Sequence, residues 1–191
     1  MQLKMKDIDF CFENLLVKII ADRNHPEIQL AGLSVGPFEE GNEYEVYYWI
    51  AQELVKAGVA HFREEDCLDA TKLFKIQWKE RVQAAGQISE LSEDFYPRLR
   101  RYLASIKKDI AKHPEKLQEY EKANHSAWDI VNSRLKKIVA LSSGPPQTDQ
   151  IQKKLTCEER FIYAQLSKII IEWKSQILNF EGENGAEWQE N

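Results

Sequence analysis

No established catalytic signature occurs in this chain. Its 191 residues contain no GxxxxGKS or GxxxxGKT phosphate loop, no GxGxxG turn, no HExxH zinc pair and no GxSxG nucleophile elbow. His25, His61, His113 and His125 are isolated, and none lies one helical turn from another histidine or a cysteine. A zinc site built from neighbouring ligands is therefore excluded. Cysteine is scarce: Cys11, Cys67 and Cys157 are far apart and odd in number, which argues against a disulfide framework or a CxxC knuckle and for reduced thiols. No run approaches the roughly 18 consecutive apolar residues of a membrane helix, and the amino terminus lacks a basic region followed by an apolar core. The expectation is an intracellular, cytoplasmic protein without a membrane partner. Positive charge is also in deficit, with 26 Lys and Arg against 31 Asp and Glu, a net charge of -5 and a pI near 5.5. A surface made to coat nucleic acid is excluded, so any DNA contact is local.

Charge and punctuation divide what is present near residue 66. Residues 1–66 carry 6 basic and 13 acidic side chains, a net of -7, and residues 67–191 carry 20 and 18, a net of +2. Four of the eight glycines precede the boundary. Between 26 and 48, Ile28, Leu30, Leu33, Val35, Tyr44, Val46 and Tyr48 recur at near period two, with Gly36-Pro37 and Gly41-Asn42 as turn signals. That pattern predicts short strands, with a further strand at 17–21 and another at 59–62. From Trp49 to Lys56 the spacing becomes helical, with Trp49, Ile50, Leu54 and Val55 on one face and Gly58 where a C-terminal cap belongs. Trp49, Leu54 and Val55 are the expected core of this small unit.

Beyond residue 68 the pattern is helical. Asp94 is placed to cap a helix with Pro97 in its first turn, followed by a stripe of Phe95, Leu99, Tyr102, Leu103, Ile106 and Ile110. A second helix over about 115–141 shows Leu117, Tyr120, Trp128, Val131, Leu135 and Ile138 at the same period. After a loop at 142–148, Thr156 and Glu159 form a capping box that opens a third helix with Ile162, Leu166, Ile169, Ile170, Trp173 and Ile177 as its stripe. The expected fold class is α+β. A small β-rich domain with one helix fills 1–66, a larger all-α bundle fills 67–180, and 181–191 is an acidic, disordered tail anchored at most by Trp188.

Three features could carry function. The extra aromatics on the helix stripes, Phe95, Tyr96, Tyr102, Trp128 and Trp173, suit either core or a subunit interface. Arg98, Arg100, Arg101, Lys107 and Lys108, in the basic segment 98–116, could touch nucleic acid, though a solvated helix face explains them as well. Asp66 with Asp69, and Glu90 with Glu93, could share a helix face and hold Mg²⁺ for phosphohydrolase chemistry; acids near helix starts are the simpler explanation. No cofactor is expected.

The order of these segments resembles a subunit of the archaeal GINS complex, the tetrameric accessory factor of the replicative helicase. Residues 40–46 (Glu-Gly-Asn-Glu-Tyr-Glu-Val), 49–55 (Trp-Ile-Ala-Gln-Glu-Leu-Val) and Gly58-Val59-Ala60 are similar to the family's small β domain. Residues 91–96 (Leu-Ser-Glu-Asp-Phe-Tyr) and Arg100-Arg101-Tyr102-Leu103 are similar to a family helix start. Arg134-Leu135-Lys136-Lys137-Ile138, Leu155 to Glu159 and Tyr163 are similar to its last two long helices. One departure stands out: a proline usually precedes the small-domain tryptophan, and here Tyr48 occupies that place. The resemblance implies a nucleoid-associated, non-enzymatic scaffold. Its partners would be a second GINS subunit of opposite domain order in a hetero-tetramer, the MCM helicase motor and a RecJ-like protein.

Overall fold

The structure, a computed structural model, describes residues 5–30, 32–83, 87–145 and 149–178. The expected acidic tail, Trp188 included, lies outside the described residues. The first described element is a helix, α1 (Met5–Glu13), that the periodicity did not suggest, and which joins the expected helix of the small unit. Strand β1 (Leu16–Ala21) pairs antiparallel with β4 (Glu43–Tyr47) on one side and β5 (Ala60–Phe62) on the other. The short hairpin β2 (Ile28–Leu30) and β3 (Leu33–Val35) sits apart from that sheet. Gly36 turns the chain out of the hairpin at a φ of +100°, and a Cβ there would stand 3.1 Å from the Phe38 ring. Glycine is thus required both for the backbone angle and for the close approach.

Helix α2 (Tyr48–Lys56) covers the sheet and ends in a Schellman cap. Val59 N–H donates to the Leu54 carbonyl at 2.9 Å and Gly58 N–H to that of Val55 at 3.0 Å, with Gly58 at a φ of +63°. The small core joins Ile19 and Val46 of the sheet to Ile50, Ala51 and Leu54 of α2. Two expected core residues are corrected: Trp49 is 39% exposed and Val55 is half-buried, whereas Leu54 is buried. Ala51 lets α2 approach the sheet on its 50/51/54 edge. Each further residue turns about 100° around the axis, so Trp49 and Val55 fall on its flanks.

The helical region contains α3 (Ala70–Val82), α4 (Phe95–Ile110), a 3-10 turn (Pro114–Lys116), α5 (Leu117–Ser143), α6 (Asp149–Gln152) and α7 (Cys157–Leu178). Helix α5 is the axis, packing against α3, α4 and α7. The α4 stripe points inward at Phe95, Leu99 and Ile106. Asp94 sits at the N-cap position but accepts no amide; its carboxylate takes Arg98 at 2.6 and 2.7 Å instead. The capping box forms, with Thr156 N–H to Glu159 Oε2 at 3.1 Å and Glu159 N–H to Thr156 Oγ1 at 3.4 Å.

The other two stripes turn out differently. Helix α5 buries Ala123, Ala127, Ile130, Arg134, Lys137, Ile138 and Leu141, leaving Leu117, Trp128 and Leu135 exposed. Small alanines admit the neighbouring helices on that side, which rotates the bulkier stripe toward solvent. On α7, Glu158 and Glu159 are the buried residues, and Ile162, Ile169, Trp173 and Ile177 are exposed.

Candidate interaction surface

The centre of the bundle is a charged hub. Arg134, with no exposed surface, reaches Glu159 of α7 through Nε and Nη2, the latter at 2.6 Å, and Glu80 of α3 through Nη1 at 2.7 Å. The same Nη1 donates to the Ser89 carbonyl at 2.9 Å, and Nη2 to that of Lys154 at 3.2 Å. Lys137 Nζ closes the set on Glu80 Oε2 and on the Glu80 carbonyl, both at 2.8 Å. Tyr96 donates its hydroxyl to Glu159 Oε1 at 2.7 Å, and burial, followed by the Glu159 charge, pushes that phenol well above its usual range. Burial works to lower the Arg134 guanidinium, but the Glu159 hydrogen bond and charge more than offset it and keep it firmly protonated. A buried pair of this kind is held by full satisfaction of its donors and acceptors, and removing one member strands the rest.

A second set of charges joins the small unit to the bundle. From α4, Arg100 donates to Asp9 at 2.7 Å, and Arg101 to Asp9 at 3.3 Å and to Glu13 at 3.2 Å, both acids being on α1. The Arg101 guanidinium lies 4.4 Å from the Phe12 ring centre and 5.1 Å from that of Tyr48. Tyr48 stacks on Phe62 and donates its backbone N–H to the Leu15 carbonyl at 2.9 Å, a bond a proline at this place could not make. Burial acts to raise the Asp9 carboxyl, yet the bonds and charges of Arg100 and then Arg101 hold it below the usual carboxylate range.

Three of the five cations considered for nucleic acid, Arg98, Arg100 and Arg101, are thus engaged with the chain's own acids, and Arg98 also reaches the Asp66 carbonyl. Lys107 and Lys108 stand exposed on α4. The carboxylate pairs do not share helix faces. Asp66 lies before α3 and takes Arg63 at 2.6 Å, whereas Asp69 caps α3 by accepting Lys72 N–H at 2.8 Å. Glu90 and Glu93 precede α4, and Glu93 pairs with Arg160 at 2.7 Å. Among the described residues no three His, Cys, Asp or Glu side chains gather as a metal would require.

Outside the hub, the bundle shows two apolar faces. On α5, Trp128 is 60% exposed and shares a helix edge with the exposed Leu135 and Val139; on α7, Trp173 is 59% exposed and shares an edge with Ile162 and Ile169. A groove of about 250 Å³ runs between these helices and α4, lined by Val131, Leu135, Ile138, Ile162 and Tyr96. The second face is on α3, where Phe74, Trp78 and Val82 recur every four residues in solvent. Of the aromatics expected at core or interface, Phe95 is buried, Tyr96 and Tyr102 are half-buried, and the two tryptophans stand outside.

Residues 67–178 match the model of the GINS complex protein helical bundle domain. The chain belongs to the GINS family. Residues 4–62 match the PSF2 N-terminal domain, so the two matches follow each other in the order of the β-rich and helical units. No curated protein matches the chain significantly. GINS domains are non-catalytic scaffold domains of DNA replication, and other GINS subunits are their partners.

Sequence periodicity missed Glu80, Ser89 and Lys137 of the hub, Phe12 at the domain junction and the α3 face, and it set Tyr48 in a strand whereas Tyr48 opens α2 at that junction. One signal was available. Ile130, Arg134 and Ile138 follow one another at four-residue steps, which sets a cation within an apolar row and marks it for a buried partner.

Proposed function

We propose that this chain is a non-enzymatic scaffold subunit of an archaeal GINS complex. It joins a second GINS subunit of opposite domain order into a hetero-tetramer and links the MCM helicase motor to a RecJ-like protein. Its working units are 1–66 and 67–180, and any DNA contact, through Lys107 and Lys108, is weak or indirect. The observation that carries this reading is the α5–α7 face, where Trp128, Leu135, Ile169 and Trp173 stand in solvent on two long helices of a GINS bundle. Apolar patches of that kind on a soluble domain mark protein interfaces. The separate α3 face, with Phe74 and Trp78, gives the chain a second side on which to meet a subunit, as a tetramer needs.

Mass measurement tests the reading. The chain mixed with a GINS subunit of opposite domain order, from the same source, should give a species of two copies each. Ile169→Asp should abolish it while the isolated variant keeps its helical signal. A well-behaved monomer that ignores every GINS partner would sink the assignment. The purified chain should hydrolyse no phosphoester with Mg²⁺ or Mn²⁺, and turnover lost in Asp66→Asn/Asp69→Asn with folding intact would favour a phosphohydrolase instead.

A further inference from the structure

The charges at the heart of this chain close into neutral sets. Arg134 and Lys137 match Glu80 and Glu159, and Arg100 and Arg101 match Asp9 and Glu13. Glu158 belongs to neither. It is only 6% exposed, and neither carboxylate oxygen, both buried, accepts a hydrogen bond. The Arg100 Nη1 beside it stands 4.0 Å away, beyond hydrogen-bond reach, because Nη2 of the same guanidinium is held by Asp9 at 2.7 Å. Arg100 Nε is likewise buried without an acceptor. The amides of the first α7 turn do not supply the missing donor, since the capping box there runs between Thr156 and Glu159.

Glu158 lines the α4–α5–α7 groove with Arg100, Glu159 and Tyr96 and the aliphatic Val131, Leu135, Ile138 and Ile162. A carboxylate removed from water without a donor is costly to the free chain. Here the cost falls where another molecule can relieve it. The aliphatic wall carries Glu159, matched by Arg134, and Arg100, held by Asp9, beside Glu158; Asp9, Glu13 and Glu158 together outnumber Arg100 and Arg101 by one acid, so the complement of the groove is an aliphatic surface carrying one cation. Resting on the assembly reading above, we propose that the groove receives a helix of the second GINS subunit that presents an arginine or lysine between aliphatic side chains, whose cation completes Glu158. A guanidinium suits the place best, being planar, weakly hydrated and able to meet both oxygens at once. The pairing selects the partner as well as holding it, since an acidic or neutral helix leaves the charge buried and unmatched.

Titration calorimetry of the chain against that second subunit, with the melting temperature of the isolated chain read in parallel, tests the proposal. Glu158→Gln and Glu158→Leu should each weaken the complex at least tenfold, while the melting temperature of the free chain rises in both, more in the second. That opposition of signs is the signature of a group kept for binding. If the wild-type complex forms and both variants bind as tightly as it does, the cation-in-groove proposal fails and the assembly reading survives. Full affinity in Glu158→Gln with loss only in Glu158→Leu would mean a neutral donor and overturn the cation. A lower melting temperature in both free variants would show Glu158 already satisfied within the chain and would also overturn it. Absence of any complex with the wild-type chain would overturn the assembly reading and this inference with it.

Discussion

In the sheet unit Ile19, Val46, Ile50 and Leu54 lie inside while Lys18, Glu43 and Glu53 lie outside; in the bundle Glu80, Arg134 and Glu159 are buried while Trp78, Trp128 and Trp173 stand in solvent. The first unit hides most of its apolar surface, leaving Phe10, Leu15, Leu16 and Trp49 exposed at its edges. The second uses ion pairs and hydrogen bonds to fix the mutual placement of α3, α5 and α7, and leaves large apolar side chains facing out. A hub of directed bonds specifies one arrangement of helices, which suits a bundle that must present a defined face to other subunits. The contrast therefore separates two jobs: closing a fold, and offering a surface.

The largest effect expected from breaking this contrast is at Arg134. Arg134→Ala strands Glu80 and Glu159 without their cation and should cost about 3–5 kcal/mol in denaturant unfolding. Phe95→Ala, which empties a buried aromatic site in the same bundle, should cost about 3–5 kcal/mol as well. If Arg134→Ala cost no more than a surface change, the hub would not be what orders the helices.

Next comes Ile50→Ala, at about 2–4 kcal/mol, confined to the sheet unit. Circular dichroism should show the bundle helices unmelted at temperatures where the variant's sheet unit has opened. A single joint transition would show that the two units are not separable.

The sequence made the sheet unit legible because its buried residues are apolar and its turns are marked: Gly58 ends α2 where a cap was expected, and β4 and β5 fall on alternating apolar runs. In the bundle, helix positions were legible from the capping box and the long periodic stripes, but the facing of two helices was not. Arg134 and Lys137 read as polar positions, so the apolar period of α5 appeared to run through Trp128 and Leu135, which face out. Periodicity marks Trp128 and Trp173 as members of apolar stripes, but it cannot tell a stripe packed within one chain from a stripe awaiting another. The junction was illegible because Arg101 meets Glu13, Phe12 and Tyr48 only after the chain folds back over many residues, and no local spacing records that.

A smaller effect, of about 1 kcal/mol, is expected from Arg101→Ala, which removes the cation from Phe12 and Tyr48. It should speed amide exchange in α1 and leave the hub unchanged. The same junction should respond to acid. The folded state holds Asp9 below the ordinary carboxylate range, so its contribution is present above the unfolded-state pKa and is lost as pH falls through the lower folded value. Exchange of α1 should therefore accelerate on acidification below about pH 4, ahead of the rest of the chain. Exchange of α1 that is no faster than the sheet at low pH would mean that Asp9 does not hold the junction.

The smallest effect on the isolated chain should come from Trp173→Ala, under about 0.5 kcal/mol, because the side chain already stands in solvent. Its effect on assembly should be the reverse, with a marked loss of complex in mass measurement. A large destabilisation of the free chain would place Trp173 in the core and erase the difference between the two units.

Hydrogen exchange of α7, measured on the chain alone and in complex with the second GINS subunit, reads the outward-facing surface most directly. The exposed last turns, Ile171–Leu178, should exchange rapidly in the free chain and become strongly protected in the complex, while β1 and β4 change little. Unchanged exchange over 171–178 in a complex that demonstrably forms, with protection falling on the sheet instead, would contradict the claim that this bundle presents its α5–α7 face to another subunit.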